Sequence, residues 1–440
     1  MTASDRPAIH QKGPGDTMTT PERSFTGPLA GLQVLEIGGM GPGPFAAMVL
    51  ADLGADVVRV DRAHGASLPG PNHDFRKEVM HRGRRSVAVD LKHPDGAGVV
   101  LDLAERADVV IEGFRPGVAE RLGIGPEDCF LRNPRIIYGR MTGFGQDGPL
   151  AQDVGHDINY IATSGLLSLI GRKDAPPTPP LSLLGDFGGG GMLLAMGVLA
   201  ALWETERSGE GQVIDAAMVD GAALLGTAFF GFMPTGDWRQ ERGANLVDSG
   251  APFYDSYETS DGGWVAVGAM EPHFYADLLT VLELDEASLP GSQYDEAAWP
   301  ALKEVIADRF RTRTRDEWVT AARGHNACLH PVLTMDEATR SEHARARESF
   351  TEIDGVAQPA PAPRFSRTPA TVTAPPPLPG EHTEGVLADW GTPTWRIAEW
   401  LKSGAVVDAE TAAGEDAGTA IANGTETTET TTDSPAEARA

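Results

Sequence analysis

The stretch from Leu32 to Asp61 restricts the fold more than any other part of the chain. LQVLEI, Leu32 to Ile37, is a short apolar run bounded by glycines, the pattern of a buried strand. GGMGPGP, Gly38 to Pro44, reads as a loop. FAAMVLADLG, Phe45 to Gly54, reads as a helix that stops on glycine, and DVVRVD, Asp56 to Asp61, as a second strand. Two strands joined through a helix form a βαβ unit, which requires a parallel sheet. SVAVDL (Ser86 to Leu91), DVVIEG (Asp108 to Gly113) and RIIYGRM (Arg135 to Met141) continue the pattern, with a helix over DGAGVVLDLAERA, Asp95 to Ala107. The predicted fold class is α/β, with an open Rossmann-type large domain.

The middle of the chain changes character. MLLAMGVLAALWETERSG, Met192 to Gly209, is apolar nearly all round and is predicted to be a buried helix. YDSYETSDGGWVAVGAM, Tyr254 to Met270, reads as a hairpin turning at Ser260 to Gly263, and Pro272 to Arg323 reads as helical. These segments predict a smaller α+β domain, and 440 residues suit two domains. Gln358 to Gly380 is Pro-rich and is expected to run extended over a surface. No internal repeat is visible.

A formal net charge of -27 argues against nucleic acid as a partner. The two cysteines, Cys129 and Cys328, lie far apart, in no metal-ligand spacing, which suits a reducing, cytoplasmic compartment. No apolar run is read as long enough to span a membrane. The first residues lack the apolar core of a signal peptide and read as a disordered leader, with Met18 an alternative start. The terminal ARA is not a peroxisomal address. Past Asp408 the chain is acidic and poor in large apolar residues, the composition of a disordered tail.

Three features carry chemistry. GGMGPGP invites a dinucleotide reading, with Asp61 as the acidic residue downstream. However, Pro44 stands where the third glycine belongs, and Pro42 and Pro44 remove backbone donors. A helix begun by proline is the simpler account. Arg59, Arg62, Arg76, Lys77, Arg82, Arg84, Arg85 and Lys92 crowd one region of an acidic chain. They form either a solvated face or a phosphate-binding rim. VGHDINYIATSG, Val154 to Gly165, sets His156 beside Asp157, and LLGDFGGGG, Leu183 to Gly191, sets Asp186 before four glycines. The bland reading is helix capping in both places. The other is a pair of proton-transfer groups, with the glycines at a helix start baring amides for an oxyanion.

Together these segments resemble the class III CoA-transferase superfamily (CaiB/BaiF type), and within it the α-methylacyl-CoA racemases. The matching stretches include GPLAGLQVLEIGGMGPGPFAAMVLADLGADVVRVDR, VVIEGFRPGVAERLGIGP, YGRMTGFGQDGPLAQDVGHDINYI, LLGDFGGGGM, GQVIDAAMVDGAALL, RGANLVDSGAPFYDSYET and VAVGAMEPHFY. PAPRFSRTP and GEHT follow, and the likeness runs from Pro28 to the GEHT segment. The resemblance implies catalytic roles for His156 and Asp186, with Glu271 orienting the histidine. It implies CoA contacts from Arg62, from Val89, Asp90, Leu91 and Lys92, from Gly113, Phe114 and Arg115, from Arg121, and from Gly155, Asp157, Ile158, Asn159 and Tyr160. It also implies an interlocked homodimer with the active site at the subunit interface, so that Glu271 comes from the partner chain. On this basis residues 1–27 are a leader and 28–216 a large CoA-binding domain. Residues 217–252 are a linker, 253–335 the small domain, 336–405 a return to the large domain, and 406–440 the tail.

The implied reaction is a 1,1-proton transfer at the α-carbon of a 2-methylacyl-CoA thioester through an enolate, with no metal and no cofactor beyond the CoA of the substrate. Amides near Asp186 are expected to hold the enolate oxygen. The alternatives are a CoA transferase with Asp186 as nucleophile, a non-catalytic acyl-CoA binder and a nicotinamide dehydrogenase. Two departures stand out. Ser182 occupies a place where racemases often carry Asn, and the Gly65 to Asn72 insertion is long.

Overall fold

The computed structural model describes residues 26–64, 74–372 and 374–412. The leader up to residue 25, the 65–72 insertion and the tail from 413 lie outside the described residues. The large domain is a seven-stranded sheet. Its first strands and helices are β1 (Gln33–Ile37), α1 (Pro42–Asp52), β2 (Asp56–Arg62), β3 (Arg85–Val89), α2 (Gly96–Ala104), β4 (Val109–Glu112), α3 (Val118–Arg121), α4 (Pro126–Arg132) and β5 (Ile137–Thr142). They are followed by α5 (Asp157–Thr163), α6 (Leu193–Ser208), β6 (Gln212–Ala217), α7 (Met218–Leu225) and α8 (Thr227–Thr235).

The smaller unit contains β7 (Tyr254–Glu258), β8 (Trp264–Gly268), α9 (Pro272–Leu282), α10 (Trp299–Phe310), α11 (Arg315–Ala321) and β9 (Leu329–Pro331). Its three antiparallel strands pack with these helices around Phe253, Leu302, Phe310 and Trp318. The hairpin and the helices predicted from sequence are all present. A short pair, β10 (Phe350–Ile353) and β11 (Val356–Pro359), precedes the Pro-rich stretch, and β12 (Val406–Val407) returns to the large sheet.

Strand order in the large sheet is β12-β3-β2-β1-β4-β5-β6. Every neighbour is parallel except β12, which runs antiparallel to β3. Both faces are covered, as a parallel sheet requires. Leu35, Val58, Val87 and Val110 meet α2, α4 and the helices Thr383–Asp389 and Thr394–Ser403 on one side. Val34, Val57, Val109 and Ile137 meet α1 and α6 on the other. Chain order reverses between β1 and β4, and loops leaving the carboxyl ends of those strands open a crevice there.

Several expectations are corrected. Residues 406–412 are not tail: Val406 and Val407 form the edge strand, and Val407 and Ala412 pack with Ala63 and Ala88. Residues 217–252 are not merely a linker, because α7 packs closely on the glycine-rich segment. Half of the basic cluster is neither a solvated face nor a rim. Arg59, Arg82, Arg84 and Arg85 are buried and paired with Asp61, Asp52, Glu36 and Asp56. Sequence crowding cannot separate exposed cations from internal ion pairs. Arg62 and Lys92 do remain exposed.

Helix α6 is buried on one face only. Leu194, Ala195, Val198 and Ala201 are in the core, while Met192, Met196, Leu199 and Trp203 are exposed, Trp203 by 67%. The glycine-rich segment and α6 form one helix of 26 residues, Leu183–Ser208, long and apolar enough by length and composition to cross a membrane. The expectation that no segment reaches that length is therefore wrong. In this fold the helix lies against β5, β6 and α1.

Candidate active site

A cleft of about 840 Å³ lies at the carboxyl ends of β1, β4 and β5. Its walls are Met40 to Pro44 after β1, Glu112 to Pro116 after β4, Thr142 to Phe144 after β5, and Val154 to His156 with Asn159 and Tyr160. Asp186 completes it. His156 and Asp186, thirty residues apart in sequence, thus share one small space.

Each is placed by local structure. His156 is the residue ahead of α5, in extended conformation. Its amide donates to Asn159 Oδ1 at 3.0 Å, while its carbonyl accepts from the Asn159 amide at 2.8 Å. The exposed imidazole is left to the cleft. Tyr160 hydroxyl donates to the Gly155 carbonyl and fixes the approach to the histidine. Asp157 points the other way and is 4% exposed. Its Oδ2 accepts the amides of Gly185 at 2.6 Å and Asp186 at 2.9 Å. Asp157 therefore ties the start of the histidine helix to the start of the aspartate helix.

Asp186 sits in the first turn of a π-helix, Leu183–Met192, that runs into α6. Its carboxylate faces the Gly41 loop: a Cβ on Gly41, at φ 70°, would lie 3.5 Å from Oδ2. Burial, followed by repulsion from Asp157, pushes the Asp186 carboxyl above the ordinary carboxylate range. A hydrogen bond from Ser182 and the charge of His156 act in the opposite direction.

The four glycines do not bare amides for a ligand, contrary to expectation. They lie inside the π-helix and allow close approach. A Cβ on Gly189 would come within 2.6 Å of the Ala222 amide, and one on Gly191 within 2.7 Å of the Pro42 carbonyl. The amides of Gly185 and Asp186 are taken by Asp157, so the oxyanion site expected there is also not available. A wide, rare helix of this kind is not legible from composition.

The other candidates divide into groups. Gly113, Phe114, Arg115, Gly155, Asn159 and Tyr160 line the cleft with His156 and Asp186. Arg62 and Val89 are register partners at the carboxyl ends of β2 and β3, with Asp90, Leu91 and Lys92 following. They lie on the same edge of the sheet but outside the cleft wall. Arg121 ends α3, and Ile158 is exposed on α5. Glu271 is not in the cleft of its own chain. It precedes α9 in the small domain and lies near Cys328, whose thiol is pushed up by burial and then by Glu271. The sequence reading missed Met40, Gly41 and Glu112 as cleft walls. Their position after the strands that flank the reversal of chain order was the available signal. Among the described residues no group of three or more His, Cys, Asp or Glu could hold a metal ion.

An α-methylacyl-CoA racemase of Mus musculus is 47% identical over 87% of this chain and 98% of its own length. The Homo sapiens α-methylacyl-CoA racemase is 46% identical over 82% and 93%. The crystal structure of a CaiB/BaiF family protein from Brucella suis superposes with a TM-score of 0.72 at 26% identity, covering 83% of this chain and all of that one. Residues 29–383 match CoA-transferase family III, and the chain belongs to that family.

Proposed function

We propose that the protein is an isomerase that inverts the α-carbon of 2-methylacyl-CoA thioesters by proton transfer through an enolate. The observation that carries this reading is the placement of His156 and Asp186 on the walls of one cleft. Inversion requires two groups, one to remove the α-proton from one face and one to return a proton to the other. Burial holds the Asp186 carboxyl above the ordinary carboxylate range, which makes it the stronger base toward an α-proton. The similarity to racemases at 46–47% identity supports the same reading.

In one direction Asp186 takes the α-proton and protonated His156 supplies the other; in the reverse direction the roles exchange. Each turnover leaves the pair with opposite protonation, which solvent resets. No metal or further cofactor is invoked. With the Gly185 and Asp186 amides held by Asp157, donors elsewhere on the wall meet the enolate oxygen. The CoA moiety would extend from the cleft between the Gly113–Arg121 segment on one side and Arg62 and Lys92, at the carboxyl ends of β2 and β3, on the other.

The proposal includes a homodimer. Met192, Met196, Leu199 and Trp203 form an exposed apolar stripe, with Phe230 and Phe232 also exposed on α8, and solitary chains seldom leave so much apolar surface open. Glu271 would reach His156 from the partner. Two free cysteines fit a reducing compartment such as the cytoplasm.

The test is α-proton exchange. A single enantiomer of a 2-methylacyl-CoA, incubated in D2O and followed by NMR, should lose its α-proton and become racemic. Rates should fall by about 10²-fold or more in His156→Ala and Asp186→Ala. The second reading, a CoA transferase, rests on the same half-buried carboxylate acting as nucleophile. It would be favoured by acyl transfer to an added carboxylate that needs Asp186 but not His156.

A further inference from the structure

Glu112 closes β4 where the sheet meets the cleft, and it is only 1% exposed. One carboxylate oxygen accepts the Phe114 amide at 2.6 Å. The other accepts Nε–H of Arg140 at 3.1 Å. Arg140 lies directly opposite on β5, in register with Glu112, and is itself 7% exposed. Its two terminal nitrogens donate to both oxygens of Glu120 on α3, at 2.8 and 3.3 Å. One guanidinium thus joins two strands and a helix. Burial pushes the Glu112 carboxyl up to about 7, although the Phe114 amide and Arg140 both oppose the shift. Tyr138 on β5 and Glu120 are the other titratable groups near it.

The geometry has a direction. The segment Gly113 to Arg121 leaves β4, forms a cleft wall through Phe114 and Arg115, and ends on the exposed Arg121. Glu112 holds its first turn through the Phe114 amide, and Glu120 holds its last. Arg140 connects the two anchors. The segment carries two cations, Arg115 and Arg121, whose positions relative to each other depend on both anchors.

We propose that the Glu112–Arg140–Glu120 triad is a positioning device that sets the Gly113–Arg121 segment to grip the phosphate-bearing nucleotide end of a CoA thioester. This rests on the functional reading above. The triad governs how well CoA is held and leaves proton transfer to His156 and Asp186. A fork of charge-assisted hydrogen bonds is suited to the task because it fixes direction as well as distance.

The test uses the whole protein with Arg140→Met, which keeps bulk but releases both acids, and Glu120→Gln, whose site is half exposed and safe for folding. CoA alone is titrated calorimetrically, and racemisation is measured on a 2-methylacyl-CoA and on the matching acyl-pantetheine, which lacks the nucleotide. The expected result is CoA affinity weakened about tenfold in Arg140→Met and less in Glu120→Gln. KM for the CoA thioester should rise with kcat far less affected, and acyl-pantetheine kinetics should change little. Equal losses on both substrates, or CoA binding unaltered in both variants, would overturn the proposal. If the unmodified protein fails to bind CoA, the functional reading falls and the triad's assigned role falls with it. CoA binding with no racemisation defeats the isomerase reading alone.

Discussion

Asp157 and Ser182 show how little separates a candidate catalytic residue from its support. Asp157 follows the candidate catalytic His156, yet its carboxylate turns inward to hold two amides of the opposite helix. Ser182 hydrogen-bonds Asp186 and favours its charged form. Removing that bond in Ser182→Ala should raise the Asp186 pKa further. In the direction where Asp186 is the base, it must be ionised. The acidic limb of the pH profile of kcat/KM should therefore move to higher pH, with activity lost first at low pH. A limb that stays in place or moves down would show that Ser182 does not tune this carboxylate. His156 and Asp186 were legible as a pair because their residue types sit at the mouths of apolar segments. The inward turn of Asp157 was not, because it depends on amide donors 28 and 29 residues away.

At the level of elements, the π-helix and α7 are the tightest contact in the site. A Cβ on Gly221 would lie 1.8 Å from the Gly189 carbonyl oxygen, so the two helices can approach only as glycine on glycine. Gly221→Ala should force them apart and cost about 1–3 kcal/mol or more. Urea titration measures the loss, and activity should fall with it because Asp186 rides on the displaced helix. Gly231→Ala in α8 is the contrast. Nothing lies within 4 Å of the added Cβ. Helix propensity should make that change neutral to stabilising by up to about 1 kcal/mol. A stable Gly221→Ala protein would mean that the glycines serve something other than close packing. Strands β1 to β5, the β7–β8 hairpin and helices α1 and α2 could be read directly, since apolar period and Gly/Pro punctuation are local signals. The π-helix escaped, because its width is set by what packs against it. The α6 helix misled for a related reason: an all-apolar sequence cannot tell a buried face from one left for a partner.

For the molecule as a whole, the separation of Glu271 from His156 within one chain has a sharp consequence. If the small domain of one subunit completes the cleft of the other, His156→Ala and Glu271→Ala homodimers should each lose most of their activity. Unfolding and refolding the two together should restore it. Each mixed dimer would hold one cleft with both lesions and one with neither. About a quarter of wild-type activity is expected from random pairing, since half the dimers are mixed and half their clefts intact. An inactive mixture of two inactive parents would place Glu271 within its own subunit's site, and a fully active Glu271→Ala homodimer would place it outside the reaction.

The sequence alone determined the parallel α/β layer, the hairpin, the helices of the small domain and the residue types of the site. All are properties of neighbours along the chain, where side-chain period and backbone preference act. Tertiary structure decided what those residues face. It turned four arginines of the basic cluster into internal ion pairs, placed the glycines within a helix and drew residues 406–412 into the large domain. It brought His156 and Asp186 to one cleft and left Glu271 apart. Burial, charge pairing and close approach depend on which distant segments share a volume, and local pattern does not carry that information.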